Sequence, residues 1–325
     1  MPAEGRVCGI PALSAGQLAT MRALAIDRMT AEVLSAFDSA RVPCILLKGP
    51  TVADWLYERG ALRAYTDSDL LVSPDRLAGA HSVLAELGFA PDVAESPHAV
   101  AWRRPDGAAV DLHTNLPGLV GPLPPEEAWN RLAELTESMP VGGTTATVLN
   151  TNARALLVVL HAAHHGPEQA QPLEDLSRAV ERVGDEKWTE IAELAWQLQA
   201  GLNFTRGLRL LAEGAELADR LALPRGEFVE AVVEAATGPG ARAPLALGFE
   251  RLAAAPDVRT KLALILRELF PSPAFLRQWS RLARHGGAPG LVAAYGWRLL
   301  WIVVHAVPSL AAWRRARRVG GTGAV

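Results

Sequence analysis

Asp67 and Asp69 stand one residue apart in RAYTDSDLLV, residues 63–72, at the head of an apolar run. In an extended chain alternate side chains share a face, and the two Cα atoms lie about 6.5–7 Å apart. Both carboxylates then point the same way. Beside Leu70, Leu71 and Val72 such charges are costly unless something pairs with them. Either they end a strand in solvent and do nothing, or a cation holds them. A third carboxylate, Asp111 in VDLH, sits in another apolar run, and His113 two residues on shares its face. Upstream, LLKGPT places Lys48 and Gly49 at a turn into a helix. A helix N-terminus offers free N–H groups and partial positive charge, which suits phosphate. Three carboxylates able to converge on metal ions about 3.5–4 Å apart, with a cation at a glycine turn, form a set that could hold a triphosphate.

The elements around these residues have recognisable signals. Ser14 and Gln17 make a capping-box pattern for a helix running to Ala40. VPCILL reads as a short buried strand. KGPTVADWLYERG reads as a turn into a helix, with Pro50 at the first helical position and Gly60 as the stop. DSDLLV is a second strand, and Ser73-Pro74 opens a helix closed at Gly88. HAVAWRR and AAVDLHT flank PDG, a hairpin signal. Residues 42–115 therefore read strand, helix, strand, helix, strand, strand, a small mixed α/β unit. From Thr151 onward the runs TNARALLVVLHAAHHG, LEDLSRAVERVG and EKWTEIAELAWQLQAG show helical spacing. The fold class is α+β: a mixed-sheet domain over 1–145, an all-helical domain over 146–318, and a disordered tail over 319–325.

Leu47-Lys48-Gly49, Arg63 ahead of Asp67-Ser68-Asp69, and Asp111-Leu112-His113 together resemble a bacterial family of uncharacterised nucleotidyltransferases, within the minimal DNA polymerase β-like superfamily. HAAHHG and EDLSRAV in the helical half strengthen the resemblance, which covers about residues 15–225. It implies that Asp67, Asp69 and Asp111 hold Mg²⁺ or Mn²⁺. It also implies that Lys48, Gly49, Thr51, Arg63 and His113 contact the donor NTP, with His113 free to orient Asp111 instead. A nucleoside monophosphate would pass to a hydroxyl of a metabolite, peptide or protein, and a natural-product setting is one expectation. Gly49 is followed by Pro50 and Thr51 where the superfamily usually has glycine or serine. Thr51 or the backbone must then make that triphosphate contact.

His161, His164 and His165 share one helix face, being three and four residues apart. Active-site contact and ordinary structure weigh equally there, and a zinc site would need more converging ligands. With Asp175 they are the candidate acceptor residues.

Half of the 325 residues are hydrophobic and the net charge is −3, so a broad basic field for duplex nucleic acid is not expected. No basic start leads into an apolar stretch at the N-terminus, and cytoplasm is the default. Residues 291–318 are apolar and end in a basic cluster. The uncharged part from Leu299 to Trp313 is shorter than the ~20 residues of a spanning helix. A buried core helix is favoured there over membrane contact. The rival to catalysis is a nucleotide-binding or scaffolding module.

Overall fold

Helix α1, Ala15–Ser39, starts with the capping box expected from its sequence: Ser14 Oγ accepts from the Gln17 N–H, and Gln17 Oε1 accepts from the Ser14 N–H. The computed structural model describes residues 14–58, 63–92, 99–117, 119, 123–224, 232, 243–254, 258–271 and 273–321. The expected helix stop at Gly60 lies outside these residues. After α1 come β1 (Cys44–Leu46), α2 (Pro50–Leu56), β2 (Ser68–Val72), a 3-10 turn at Pro74–Arg76 and α3 (Leu77–Glu86). Then follow β3 (Ala90–Pro91), β4 (Ala99–Arg103), β5 (Ala109–His113), α4 (Pro125–Ala133), β6 (Thr136–Val141) and β7 (Thr144–Leu149).

The seven strands form one mixed sheet in the order β3-β4-β5-β2-β1-β7-β6. The β4–β5 hairpin was anticipated; β3, α4 and the β6–β7 hairpin were not. Strand β6 carries Glu137 and Pro140 and alternates poorly, so its pairing rests on the turn. Gly142 and Gly143 both have positive φ, 57° and 92°, the geometry of a two-residue hairpin turn. A Cβ on Gly142 would also lie 2.1 Å from the Asp27 carbonyl oxygen of α1. The sheet reaches further than expected. The boundary at 145/146 falls inside β7, which pairs in parallel with β1 through Leu46 and Val148. Composition changes near Thr151, but the strand runs almost to the next helix cap.

Period-two alternation splits the sheet into two faces. Leu46, Leu70, Val72, Val110 and Leu112 pack against α1 and α3, with Val33, Phe37 and Leu84. Ile45, Leu47 and Leu71 point the other way, into a core shared with Leu156, Leu160, Trp188 and Phe204. Asp69, Asp111 and His113 alternate onto this second face.

Every described element after Asn150 is helical, as expected. Helix α5 (Thr151–His165) is capped by Asn150, whose side chain accepts from the Ala153 N–H. It is followed by α6 (Ala170–Arg182), α7 (Asp185–Gln197), α8 (Gly201–Leu208) and α9 (Ala212–Arg220). Beyond these lie α10 (Ala246–Ala254), α11 (Val258–Leu269), α12 (Pro273–Trp279), α13 (Arg281–His285) and α14 (Gly287–Gly321).

Helix α14 corrects two expectations. It is not a buried core helix: 11% of its most apolar 18-residue window is buried. Its one mid-helix charge, Arg298, is turned inward onto Glu268, so the apolar stretch is longer than the sequence suggested. The helix also continues to Gly321, through residues expected to open a disordered tail. The rest of that tail, 322–325, lies outside the described residues.

Candidate active site

Strands β2 and β5 run parallel, with Asp69 opposite Asp111 and Leu71 opposite His113. On the other side of β2, the Leu47 N–H donates to the Asp69 carbonyl at 2.9 Å. The chain therefore leaves β1 beside Asp69, and Lys48 is delivered to it. Lys48 Nζ lies 2.8 Å from Asp69 Oδ1. His113 Nε2 lies 3.0 Å from the same oxygen.

Burial opposes the charge on Asp69, which is 5% exposed. Lys48 and the hydrogen bond from His113 outweigh that, and hold its carboxyl below the ordinary range. An ionised carboxylate only accepts, so His113 donates from Nε2. Its Nδ1 is then left buried with no partner among the described residues. His113 was expected to contact nucleotide or to orient Asp111; its hydrogen bond goes to Asp69, which lies diagonally across from it, two residues before its opposite residue Leu71 on β2.

Asp67 sits in the bend before β2. Burial first, then the charges of Asp69 and Asp111, push its carboxyl up to about 6. Asp111 is raised too, by burial and then by Asp69. Such mutual repulsion is relieved by a cation. The ligand atoms of Asp69, Asp111 and His113 gather within 4.8 Å of one another. The trio expected from the sequence has Asp67 in place of His113, and Asp67 lies close enough to Asp69 and Asp111 to be repelled by both. A hard divalent cation takes oxygen ligands readily, and three repelling carboxylates with an orphaned imidazole nitrogen fit one.

The glycine turn departs from expectation at Thr51. Gly49 has φ 72°, and the ring of Tyr65 packs 3.4 Å from where its Cβ would be. Pro50 has no N–H to give. Thr51 is buried and its hydroxyl donates to the Leu47 carbonyl at 2.8 Å. That hydrogen is already engaged within the turn.

Arg63 and Asp175 also depart from expectation, because they find each other. Arg63 Nε lies 2.9 Å from Asp175 Oδ1, and Arg63 Nη2 lies 2.7 Å from Oδ2. Tyr57 donates to Asp175 Oδ1 at 2.8 Å, and Gln171 donates to the Tyr57 hydroxyl at 2.9 Å. The pair is buried, with side chains 5% and 2% exposed. It ties the segment ahead of Asp67 to α6, and both side chains are engaged in it. Tyr57, Gln171 and Tyr65 were not singled out in the sequence. Tyr65 had a signal: carried back from Asp69 and Asp67, the alternation puts it on the same face.

The three histidines overlook the carboxylates from the last turns of α5. His161 Nε2 lies 3.4 Å from Lys48 Nζ. Burial, then Lys48, holds the His161 imidazole well below its ordinary value. His164 is lowered by burial, Lys48 and His113. His165 packs edge-on against both other rings, at centroid distances of 4.5 and 5.1 Å. A neutral imidazole beside a lysine serves as an acceptor rather than a second cation.

No curated protein and no solved structure matches the chain. A family of uncharacterised nucleotidyltransferases matches residues 12–215, a span that takes in the whole sheet, its carboxylates and the histidine-bearing helix. The chain belongs to this uncharacterised nucleotidyltransferase family, and is a transferase of phosphorus-containing groups.

Proposed function

We propose that the protein transfers a nucleoside monophosphate from an NTP to a hydroxyl of a small-molecule, peptide or protein acceptor, at a divalent-cation site made by Asp67, Asp69 and Asp111. The observation that carries this reading is the parallel register of Asp69 with Asp111, with Asp67 two residues away and all three carboxylates in mutual repulsion. A divalent cation held there, Mg²⁺ or Mn²⁺, supplies the positive charge that offsets the triphosphate and the developing charge in phosphoryl transfer.

The chain's own groups do the rest. Lys48 neutralises Asp69 and exchanges that carboxylate for phosphate oxygens when the nucleotide enters. His161 accepts from Lys48 and aims it. His113 fixes the orientation of Asp69. Asp111 faces the incoming hydroxyl and takes its proton as the oxygen attacks the α-phosphorus, with pyrophosphate leaving in line. The acceptor enters on the side of His161, His164 and His165, because the opposite face of the sheet is filled by α1 and α3.

The test is mass spectrometry of candidate acceptors after incubation with each NTP and Mg²⁺ or Mn²⁺. A gain of one nucleotide monophosphate, abolished by chelator, is expected. Hydrolysis to nucleotide monophosphate with no acceptor modified, across metabolite, peptide and protein pools, would contradict the transfer to a hydroxyl. His164→Ala should lower turnover on the modified acceptor while leaving NTP affinity within about threefold. Donor and acceptor contacts lie on different elements, and so their losses separate.

A further inference from the structure

Charge is divided unevenly along this chain. The last 57 residues, from Leu269, hold eight arginines and no acidic residue, while the 268 before them hold 24 basic and 35 acidic residues. The same segment contains α14, whose outer surface is apolar. Val292 is 71% exposed, Val303 70% and Val307 74%, with Trp297, Leu300 and Val304 also exposed. At 100° per residue these six side chains fall on one side of the helix. Arg314, Arg315 and Arg318 continue the same side at its C-terminal end and are exposed.

The opposite side is fixed to the protein. Ala294 packs with Leu276 and Ala283, and Ala316 packs with Leu202 and Ala246. The Leu245 N–H donates to Ser309 Oγ at 3.1 Å. Arg298 is paired with Glu268 and lies over the rings of Phe275, Trp279 and Trp301. The one charge that would interrupt the outer strip is thereby withdrawn from it. Beside α14, α11 exposes a second strip, with Val258 80%, Leu262 55% and Leu266 48% exposed. Between α10, α11 and α14 is an apolar cleft of about 290 Å³. Contiguous exposed apolar surface of this extent marks a site of contact.

We infer that the outer face of α14 docks on the surface of an anionic lipid bilayer, with the helix lying along the membrane. The strip from Val292 to Arg318 is about 39 Å long. Its valines and Leu300 enter the acyl boundary, Trp297 sits at the headgroup level, and Arg314, Arg315 and Arg318 meet lipid phosphates. Charge decides for this occupant. A purely apolar strip would suit a second copy of the chain, but three free arginines on one strip would then face their own copies or a common apolar seam. Lying along the membrane, not across it, follows from the inner face, which is held by ion pairs and packing through most of its length.

The test is co-sedimentation of the full chain with vesicles of phosphatidylcholine alone, and with about a third phosphatidylglycerol, alongside light scattering without vesicles. Pelleting with the anionic vesicles is expected, weakened by raised salt. Arg314→Gln, Arg315→Gln and Arg318→Gln together should weaken it by at least about tenfold. Val303→Asp with Val307→Asp should abolish it, with nucleotide binding unchanged in both variants because none of these residues lies near the carboxylates. A chain that stays in the supernatant with anionic vesicles would overturn the inference. So would a stable dimer that Val303→Asp dissociates and that never pellets. Equal pelleting with neutral vesicles would overturn the role of the arginines.

Discussion

Asp69 has two partners on one oxygen, and that arrangement sets what each nearby substitution should do. Asp69→Asn keeps the shape and the contact with His113 but removes the charge that Lys48 or a cation would meet. Metal-dependent NTP binding should fall by more than about 100-fold, beyond the usual loss from changing a residue that only supports a ligand; titration calorimetry with and without chelator measures it. Unchanged metal dependence would remove the carboxylate site. Asp67 supplies a pH signature. Its carboxyl titrates near about 6 in the folded chain against 3.8 ordinarily. The metal-free fold therefore keeps a proton that the unfolded chain has already released. The stability this adds is full below about pH 4 and is lost as pH rises through about 6. Asp69, held low, acts below that window. His161, His164 and His165, all lowered from 6.5, act in the opposite sense, costing stability as pH falls below 6.5. The informative quantity is thus the difference in melting temperature between wild type and Asp67→Asn in chelator. Wild type should lose ground relative to the variant from about pH 4 to 7, and regain it when Mg²⁺ or Mn²⁺ is added. Parallel melting curves at every pH would place Asp67 in solvent. The three carboxylates were legible in the sequence because strand alternation is local. That His113 bonds to Asp69 was not, since it joins residues 44 apart and depends on the register of two strands.

Between elements, the clamp of Arg63 on Asp175 connects the segment leading into β2 with α6, and its physics is that of a buried ion pair. Removing one partner strands the other charge out of water. Asp175→Ala should cost about 3–5 kcal/mol in urea unfolding. Arg63→Met combined with Asp175→Leu should cost much less, because neither charge then remains buried. A single variant as stable as wild type would show the pair to be solvated. Sequence reading gave these residues to phosphate and acceptor. It could name both as charges inside suggestive motifs, yet a pairing across 112 residues leaves no local mark. The β6–β7 hairpin was hidden for a different reason. Its strands alternate weakly, and its turn glycines are selected by the twist of the sheet and by the closeness of Asp27. Helix α1 was legible at its start because Ser14 caps its own chain, an interaction three residues in range; α5 was legible from its helical spacing, and its cap is Asn150, one residue before the run that was read.

Over the whole molecule, the expected division into a sheet domain and a helical domain describes composition better than it describes packing. The face of the sheet that bears the carboxylates also bears Ile45, Leu47 and Leu71, and these share one core with Leu156, Leu160, Trp188 and Phe204. Arg154 crosses the seam. Its Nη2 donates to the Leu149 carbonyl at 2.8 Å and to Glu137 Oε1 at 2.5 Å, and its guanidinium lies over Trp55. Without α5 that face of the sheet would be exposed to water, and the histidines opposite Lys48 would be gone. Sheet and helices α5–α9 should therefore unfold together. Leu160 is fully buried in the shared core, and Leu160→Ala should cost about 2–5 kcal/mol. The same variant should shift the melting of the sheet and of the helices by the same amount, read by infrared amide bands that separate strand from helix. NTP affinity near the shifted midpoint should fall in step, because the site needs both parts. Two transitions, with only the helical one moved by Leu160→Ala, would instead make the sheet an independent folding unit. The acceptor side would then be a detachable module, not a wall of the active site.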